Sequence, residues 1–199
     1  MTIELSADPS GFFRERLVSA LGRRNVRVSE GTEVYLVHLL TGFVHVSADE
    51  ALGQPLVERL AEALEAPGDV ERFRRFRALG DNALYVSGFF SDHLDRRGIS
   101  RDYVVSMGGR AYVAAGDLAE RRVGGGAHGL HEVYDELADG FDKLALILDE
   151  VRETTSLRTP QDIVRLYERW RRTGSKVLAE RLEQEGVFPQ EAPKKRLLH

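Results

Sequence analysis

Apolar residues recur at helical spacing along most of the chain. In one such stretch Leu36, Leu39, Leu40 and Phe43 form a wide apolar stripe, and glycine or proline residues separate it from its neighbours. The pattern predicts helices over residues 9–21, 32–46, 55–66, 70–97, 100–123, 130–153 and 159–185. No segment alternates with the period of a strand over a useful length. The sequence therefore predicts an all-α, single-domain bundle of six to seven helices with short connections.

Two of these segments are far more apolar than the rest. Residues 83–91 carry no charge, and neither do residues 103–109. A helix that is apolar on every side has to be buried on every side. The helices at about 70–97 and 100–123 are therefore predicted to form the centre of the bundle. The Gly80-Asp81 pair leaves open a break within the first of them, with Asp81 as a helix cap.

Small residues are frequent in the two central helices, although each internal glycine destabilises a helix by about 1 kcal/mol relative to alanine. Close helix packing is the favoured explanation. The alternative is a pocket for a flat apolar ligand such as haem. Its candidate residues are His38, His45, Ser87, Gly88, Met107 and Gly108.

The two histidines of that alternative are seven residues apart on one predicted helix. Two turns of helix span about 10.5 Å, which is too far for both side chains to bind one metal ion. Either His38 or His45 could serve singly as an axial ligand or a proton donor. The favoured interpretation is that both are partly buried and hydrogen-bonded to carbonyl or carboxylate groups.

The composition excludes several classes of chemistry. The 199 residues include no cysteine, so disulfides, thiolate metal sites and cysteine nucleophiles are absent. The lack of cysteine fits a reducing cytoplasm. We expect no signal peptide and no membrane span, because no apolar run approaches the roughly 20 residues that a span requires. Only four of the 28 basic residues are lysine, a bias that suggests a bacterial genome rich in GC.

One predicted helix carries histidines and carboxylates on a single side. The residues are His128, His131, Asp135, Asp139 and Asp142. Such a face can hold a divalent cation. Di-iron bundles, however, need a Glu-x-x-His motif on each of two helices, and the chain contains none. The favoured interpretation is a solvated acidic face near a helix N-terminus, and we predict no metal site and no bound cofactor.

Arginines form two clusters that suggest phosphate or nucleic-acid binding. They are Arg72, Arg74, Arg75 and Arg77, and Arg165, Arg169 and Arg172, with Lys194, Lys195 and Arg196 near the C-terminus. A net charge of −4 makes nonspecific nucleic-acid binding unlikely. Ion pairing between helices, including pairs with the acidic residues at 135–142, is the favoured account.

No motif in the chain specifies an enzymatic reaction. Ser87, for example, is not in a Gly-x-Ser-x-Gly elbow. The sequence therefore favours a non-catalytic bacterial interaction or regulatory module over an enzyme. Residues 1–186 are expected to form a helical domain that acts through protein–protein contacts, including self-association into a homo-oligomer, and residues 187–199 a tail. The alternatives are the apolar-ligand or haem-like bundle and, second, nucleic-acid binding through the arginine stripes.

Overall fold

The fold is all-α, as the hydrophobic periodicity predicts. A computed structural model describes residues 9–43, 46–123, 128–154 and 176–184, together with Trp170 and Gly174. These residues form ten helices and no strand: α1 Pro9–Arg23, α2 Glu30–Phe43, α3 Ala48–Ala51, α4 Leu56–Glu65, α5 Gly68–Phe89, α6 Ser91–Arg96, α7 Arg101–Val123, α8 His128–Asp139, α9 Phe141–Thr154 and α10 Lys176–Gln184. None of the described helices is long and apolar enough to cross a membrane.

The chain divides into two compact units, Met1–Thr154 and Thr155–His199. Helices α1 to α9 belong to the first unit, and α10 belongs to the second. The second unit also contains Trp170, which is buried. Most of the predicted last helix and all of the tail at 187–199 lie outside the described residues, so a single domain over residues 1–186 stays a prediction.

The described helices outnumber the predicted six or seven because two long predicted helices are interrupted and because the short helix α3 is an additional element. The helix at 70–97 ends at Phe89 and resumes at Ser91, since Phe90 leaves the helical region with φ −127° and ψ 28°. The helix at 130–153 is divided at Gly140 into α8 and α9. The break residues keep backbone partners on the preceding helix: Phe90 N–H donates to the Val86 carbonyl over 3.0 Å, and Gly140 N–H donates to the Glu136 carbonyl over 2.9 Å. Each interruption is confined to a single residue between two helices.

Helix α1 ends later than the sequence predicts. Gly22 lies inside the helix, and the turn is closed by Asn25, whose φ is +52°. Val26 N–H donates to the Leu21 carbonyl over 3.0 Å, which is the bond that defines a Schellman ending. Asparagine tolerates this left-handed conformation better than most residues do. Asn25 thus ends the helix that was predicted to end at residue 21.

The central position of α5 and α7 is confirmed, and α5 packs more extensively on α7 than on any other described helix. The second half of α5 is enclosed, since all of Leu79–Phe89 except Asp81 is buried. Helix α7 differs from the expectation of burial all round. Its buried residues lie on one side, and Tyr103 and Val113 are exposed.

Glycines allow neighbouring elements to approach α5 closely. A Cβ added at Gly88 would lie 2.5 Å from the Cβ of Leu148 and 3.0 Å from the Ala145 carbonyl oxygen, so α9 packs directly on this point. Gly80 does not break α5. It faces the ring of Tyr112, which a Cβ there would meet at 2.7 Å. On α7, a Cβ at Gly108 would meet the Phe141 ring and the Ala83 Cβ.

We predict that Gly88→Ala lowers the free energy of unfolding by about 1–3 kcal/mol, because the added methyl group forces α9 away from α5. Gly22→Ala in α1 is the matched control. No atom lies within 4 Å of a Cβ added there, so that substitution is expected to stabilise by about 0.5–1 kcal/mol. Urea denaturation measures both values. Effects of the same sign at the two glycines would contradict this account of the packing.

Candidate functional site

A largely buried carboxylate lies where four helices meet. Asp81, on α5, accepts hydrogen bonds from the hydroxyl of Tyr35 on α2 over 2.5 Å and from that of Tyr112 on α7 over 2.9 Å. Both donate to its Oδ1 atom. Its other oxygen lies 3.4 Å from the Nε atom of Arg77, one turn earlier on α5. The Asp81 side chain is only 14% exposed, so it is an internal acceptor and not the helix cap that the sequence left open.

Aromatic rings surround this carboxylate. Tyr134 of α8 packs edge-on against Tyr35, with ring centroids 5.7 Å apart, and lies 6.0 Å from the ring of Tyr112. The guanidinium of Arg77 lies 5.4 Å from the centroid of the Tyr35 ring. These contacts join α2, α5, α7 and α8 around one charge. We call Tyr35, Arg77, Asp81, Tyr112 and Tyr134 the tyrosine–aspartate cluster.

The electrostatics of the cluster favour protonated groups. Burial raises the pKa of Asp81 above its ordinary value, although hydrogen bonds from Tyr35 and Tyr112 and the charge of Arg77 act in the opposite direction. Burial and the charge of Asp81 raise the pKa values of Tyr35 and Tyr112 well above the ordinary value of a phenol. The phenols therefore remain hydrogen-bond donors at neutral pH. Tyr112 is fully buried, and the hydrogen bonds of the cluster join α2, α5 and α7.

An apolar groove lies on the surface between α4, α5 and α7. It has a volume of about 260 Å³ and is lined by Leu60, Phe76, Tyr103, Ser106, Met107, Arg110 and Ala111. Phe76 and Ala111 are buried, whereas Ser106 and Arg110 are exposed. We call this the α4–α7 groove. Most of its lining is carbon, and Arg110 is the charged residue in it.

The apolar surface extends from this groove onto α4. Val57 and Leu64 lie three residues before and four residues after Leu60, and they are 58% and 55% exposed. Tyr103, at the α7 edge, is 43% exposed. Ala63 is the one residue of α4 that the structure buries. Large apolar side chains are thus left in water along one border of the groove.

A wider groove of about 690 Å³ separates residues 24–28 from α8 and α9. Its lining includes Arg24, Arg27, Glu132, Asp135, Glu136, Asp139 and Lys143. Several of these charges are used within the fold. Arg24 pairs with Glu150 over 2.6 Å, and the Glu136 carboxylate accepts from the backbone N–H of Ser29 over 2.9 Å. Burial acts to raise the pKa of Glu136. Hydrogen bonds from Thr32 and Ser29 outweigh this effect and lower the pKa below its ordinary value.

The structure does not bring the predicted ligand site together. The space beside Gly88 is filled by α9, and that beside Gly108 by Phe141 and Ala83. Ser87 donates its hydroxyl to the Ala83 carbonyl over 2.7 Å, an ordinary bond within the helix. These three residues therefore pack the core, as the favoured interpretation of the small residues predicts.

The remaining candidates lie apart from one another. His38 is exposed on α2, and His45 lies outside the described residues. Met107 is half-buried in the α4–α7 groove, which makes it the one predicted site residue that lines either groove. The sequence analysis missed Leu60, Phe76, Tyr103 and Arg110, the other large side chains of this groove. The helices that contain these four residues have an ordinary amphipathic pattern of apolar and polar positions, so nothing in the sequence singles the residues out.

The charged clusters singled out in the sequence are largely paired where the structure describes them. Arg75 lies 2.7 Å from Glu62 and 3.1 Å from Glu71, and Arg77 pairs with Asp81. On the acidic face, His131 lies 3.3 Å from Asp135, and Asp142 pairs with Arg101 over 2.5 Å. No group of three or more potential metal ligands occurs among residues 9–43, 46–123, 128–154 and 176–184. The arginines at 165, 169 and 172 lie outside the described residues.

Comparison with known proteins adds no relative. No protein-family model, no curated protein and no solved structure matches this chain. Conclusions about its function therefore depend on its own residues.

We predict that Asp81→Asn leaves the protein at least as stable as the wild type at pH 7. The amide oxygen still accepts from Tyr35 and Tyr112, and the cost of burying a charge is removed. Asp81→Ala leaves both phenols without an acceptor and is expected to destabilise by about 2–4 kcal/mol. Urea denaturation at pH 7 ranks the three proteins. If Asp81→Asn lost as much unfolding free energy as Asp81→Ala, the assignment of Asp81 as an internal hydrogen-bond acceptor would be contradicted.

The raised pKa of Asp81 also predicts a pH dependence. Because its pKa in the fold exceeds the ordinary 3.8, the group stabilises the fold below pH 3.8, and this contribution is lost as pH rises through the pKa in the fold. The unfolding free energy of the wild type minus that of Asp81→Asn should therefore fall as pH rises from about 3 and then level off. The other titrating groups contribute equally to the unfolding free energies of both proteins, so their contributions cancel in this difference. A difference that increases with pH would contradict it.

Proposed function

We propose that this protein is a non-catalytic interaction module that binds a protein partner through the α4–α7 groove. The observation that carries the proposal is the continuous apolar surface formed by the groove lining together with the exposed side chains of Val57, Leu64 and Tyr103. Contiguous exposed apolar surface of this kind is typical of sites of protein–protein contact. A bacterial origin and a cytoplasmic location, which the arginine-rich and cysteine-free composition favours, belong to the same proposal.

The size of the groove favours a protein partner over a small ligand. Pockets for cofactors and drug-sized ligands usually measure about 300–1,000 Å³, and they enclose most of the ligand surface. The α4–α7 groove measures about 260 Å³ and is open along α4 and α7. That space suits one large side chain, or two smaller ones, from a partner that also covers the exposed residues at the rim.

The two alternative functions have less support. A haem-like ligand would need the space beside Gly88 and Gly108, which the core occupies. The wider groove is large enough for a ligand, but it is open and mixes charges of both signs. For nucleic-acid binding, most arginines of the cluster at 72–77 are paired with acidic residues of α4 and α5. Paired arginines contribute weakly to phosphate binding, because counterion release requires free positive charge.

Site-specific photocrosslinking tests the proposal. A benzophenone amino acid replaces Tyr103 in the groove or, as the matched control, Val18 on α1. The two positions are similarly exposed, at 43% and 47%. After irradiation in an extract of the source organism, we expect a discrete protein adduct from position 103 and none from position 18. Circular dichroism checks that both proteins retain their helix content.

A second variant links the adduct to the groove. Ser106 is exposed in the groove lining, so Ser106→Trp fills the space without adding charge or burying a polar group. The adduct at position 103 should be strongly reduced in this variant. Equal adducts from positions 103 and 18, or an adduct that Ser106→Trp leaves unchanged, would contradict the proposal.

A further inference from the structure

The apolar residues on the groove side of α4 repeat with the period of a helix–helix seam. Val57, Leu60 and Leu64 occupy positions i, i+3 and i+7 of α4. At about 3.6 residues per turn, these positions fall within an arc of about 60° and extend over about 10.5 Å of the helix axis. Leu60 lines the α4–α7 groove, and Val57 and Leu64 are exposed beside it. A stripe with this spacing matches the apolar side chains of a second helix that runs alongside it.

The lining of the groove consists of helices and offers no strand edge. All of the described residues that line it belong to α4, α5 or α7. Within a helix the backbone N–H and C=O groups bond to one another, so this lining presents no row of free groups to an added strand. An extended segment would leave its own backbone groups without partners on the apolar lining. A helix satisfies those groups internally, which makes it the better occupant of this surface.

Arg110 adds a requirement for charge. It is the charged residue of the groove lining, one turn beyond Met107 and two turns beyond Tyr103 on α7. In the part of the chain that the structure describes, it forms no ion pair. A segment that covers the groove removes water from this guanidinium, and a charge that loses its water without gaining a partner destabilises the complex. The occupant therefore needs a carboxylate on the side that faces α7.

Helix α4 of a second copy does not meet both requirements together. Its glutamates at 58 and 65 lie about 140–160° around the helix from Leu60, as the angle of about 100° per residue shows. When the apolar stripe of α4 faces a groove, these carboxylates point away from it. The groove requires a helix that carries its acid close to its apolar stripe, which favours a different protein as the partner.

We propose that the α4–α7 groove takes an amphipathic helix of a different protein, which packs its apolar stripe along Val57, Leu60 and Leu64 and places a carboxylate against Arg110. This inference rests on the proposed function and names the kind of segment that the same site binds. The apolar side chains supply most of the affinity, and the pair with Arg110 fixes the orientation of the helix. Docking of an amphipathic helix through i, i+3 and i+7 positions is a recurring mode of peptide recognition.

Two crosslinking positions on α4 test the helix. A benzophenone amino acid replaces Val57 in one protein and Leu64 in another, at sites about 10.5 Å apart along α4. After irradiation in an extract of the source organism, mass spectrometry locates the modified residue of the partner in each adduct. A helix alongside α4 rises about 1.5 Å per residue, so we expect the two modified residues about seven positions apart. An extended segment, at about 3.3 Å per residue, would place them about three positions apart and would overturn the inference.

Charge reversal at Arg110 tests the carboxylate. In the protein that carries the crosslinker at position 57, Arg110→Glu should lower the adduct yield at least about fivefold, because two carboxylates then meet. Arg110→Lys keeps the charge and should keep most of the yield. Arg27→Glu is the matched control, since it makes the same charge change at an exposed residue outside the groove, and it should leave the yield unchanged. Equal yields from Arg110→Glu and Arg27→Glu would overturn the inference.

The outcomes separate this inference from the proposed function. A groove-dependent adduct at position 103 with a spacing of about three residues for positions 57 and 64 would overturn the helix and leave the groove as a protein-binding site. An adduct that contains two copies of this chain would do the same. Absence of any adduct from positions 57, 64 and 103 would overturn both proposals.

Discussion

The enclosure of the second half of α5 is the constraint on which the rest of the structure depends. A helix without a solvent-facing side needs neighbours all around it, and each neighbour must come close enough to leave no void. Glycines at 80, 88 and 108 make this possible by admitting the Tyr112 ring, the backbone of α9 and the Phe141 ring respectively. The close packing offsets the free-energy penalty of placing glycine inside a helix. Each surrounding helix therefore turns one side towards α5 and the other towards solvent. This is why α7 is buried on only one side.

The tyrosine–aspartate cluster fixes the relative positions of the packed helices. Apolar contacts allow helices to slide or rotate with little penalty, whereas a buried carboxylate requires its donors at defined positions. Asp81 takes those donors from α2 and α7, and Tyr134 of α8 closes the aromatic shell. The register of four helices is thus tied to one side chain near the middle of the core helix. This arrangement explains why a charged residue lies within an otherwise apolar stretch.

Hydrophobic periodicity was sufficient to predict the helical class and the central pair. Features that depend on distant residues were not predictable. The bends at Phe90 and Gly140 each involve a single residue, and the apolar positions keep helical spacing on both sides of it. Whether Asp81 caps a helix was left open, because its acceptor role depends on tyrosines 46 and 31 residues away. The α4–α7 groove combines three helices, and the sequence of α4 alone does not reveal which of its apolar residues have no neighbour to cover them.

The exposed part of α4 follows from the same enclosure. The buried end of α5 has neighbours on all sides, but its N-terminal half, where α4 packs, contains buried residues only from Phe76 onward. With less core to cover, α4 buries Ala63 and leaves Val57 and Leu64 in water. The proposed protein partner covers these side chains, since the lining of the α4–α7 groove and the exposed residues of α4 both present carbon surface. Binding of that partner continues outward the packing that organises the core.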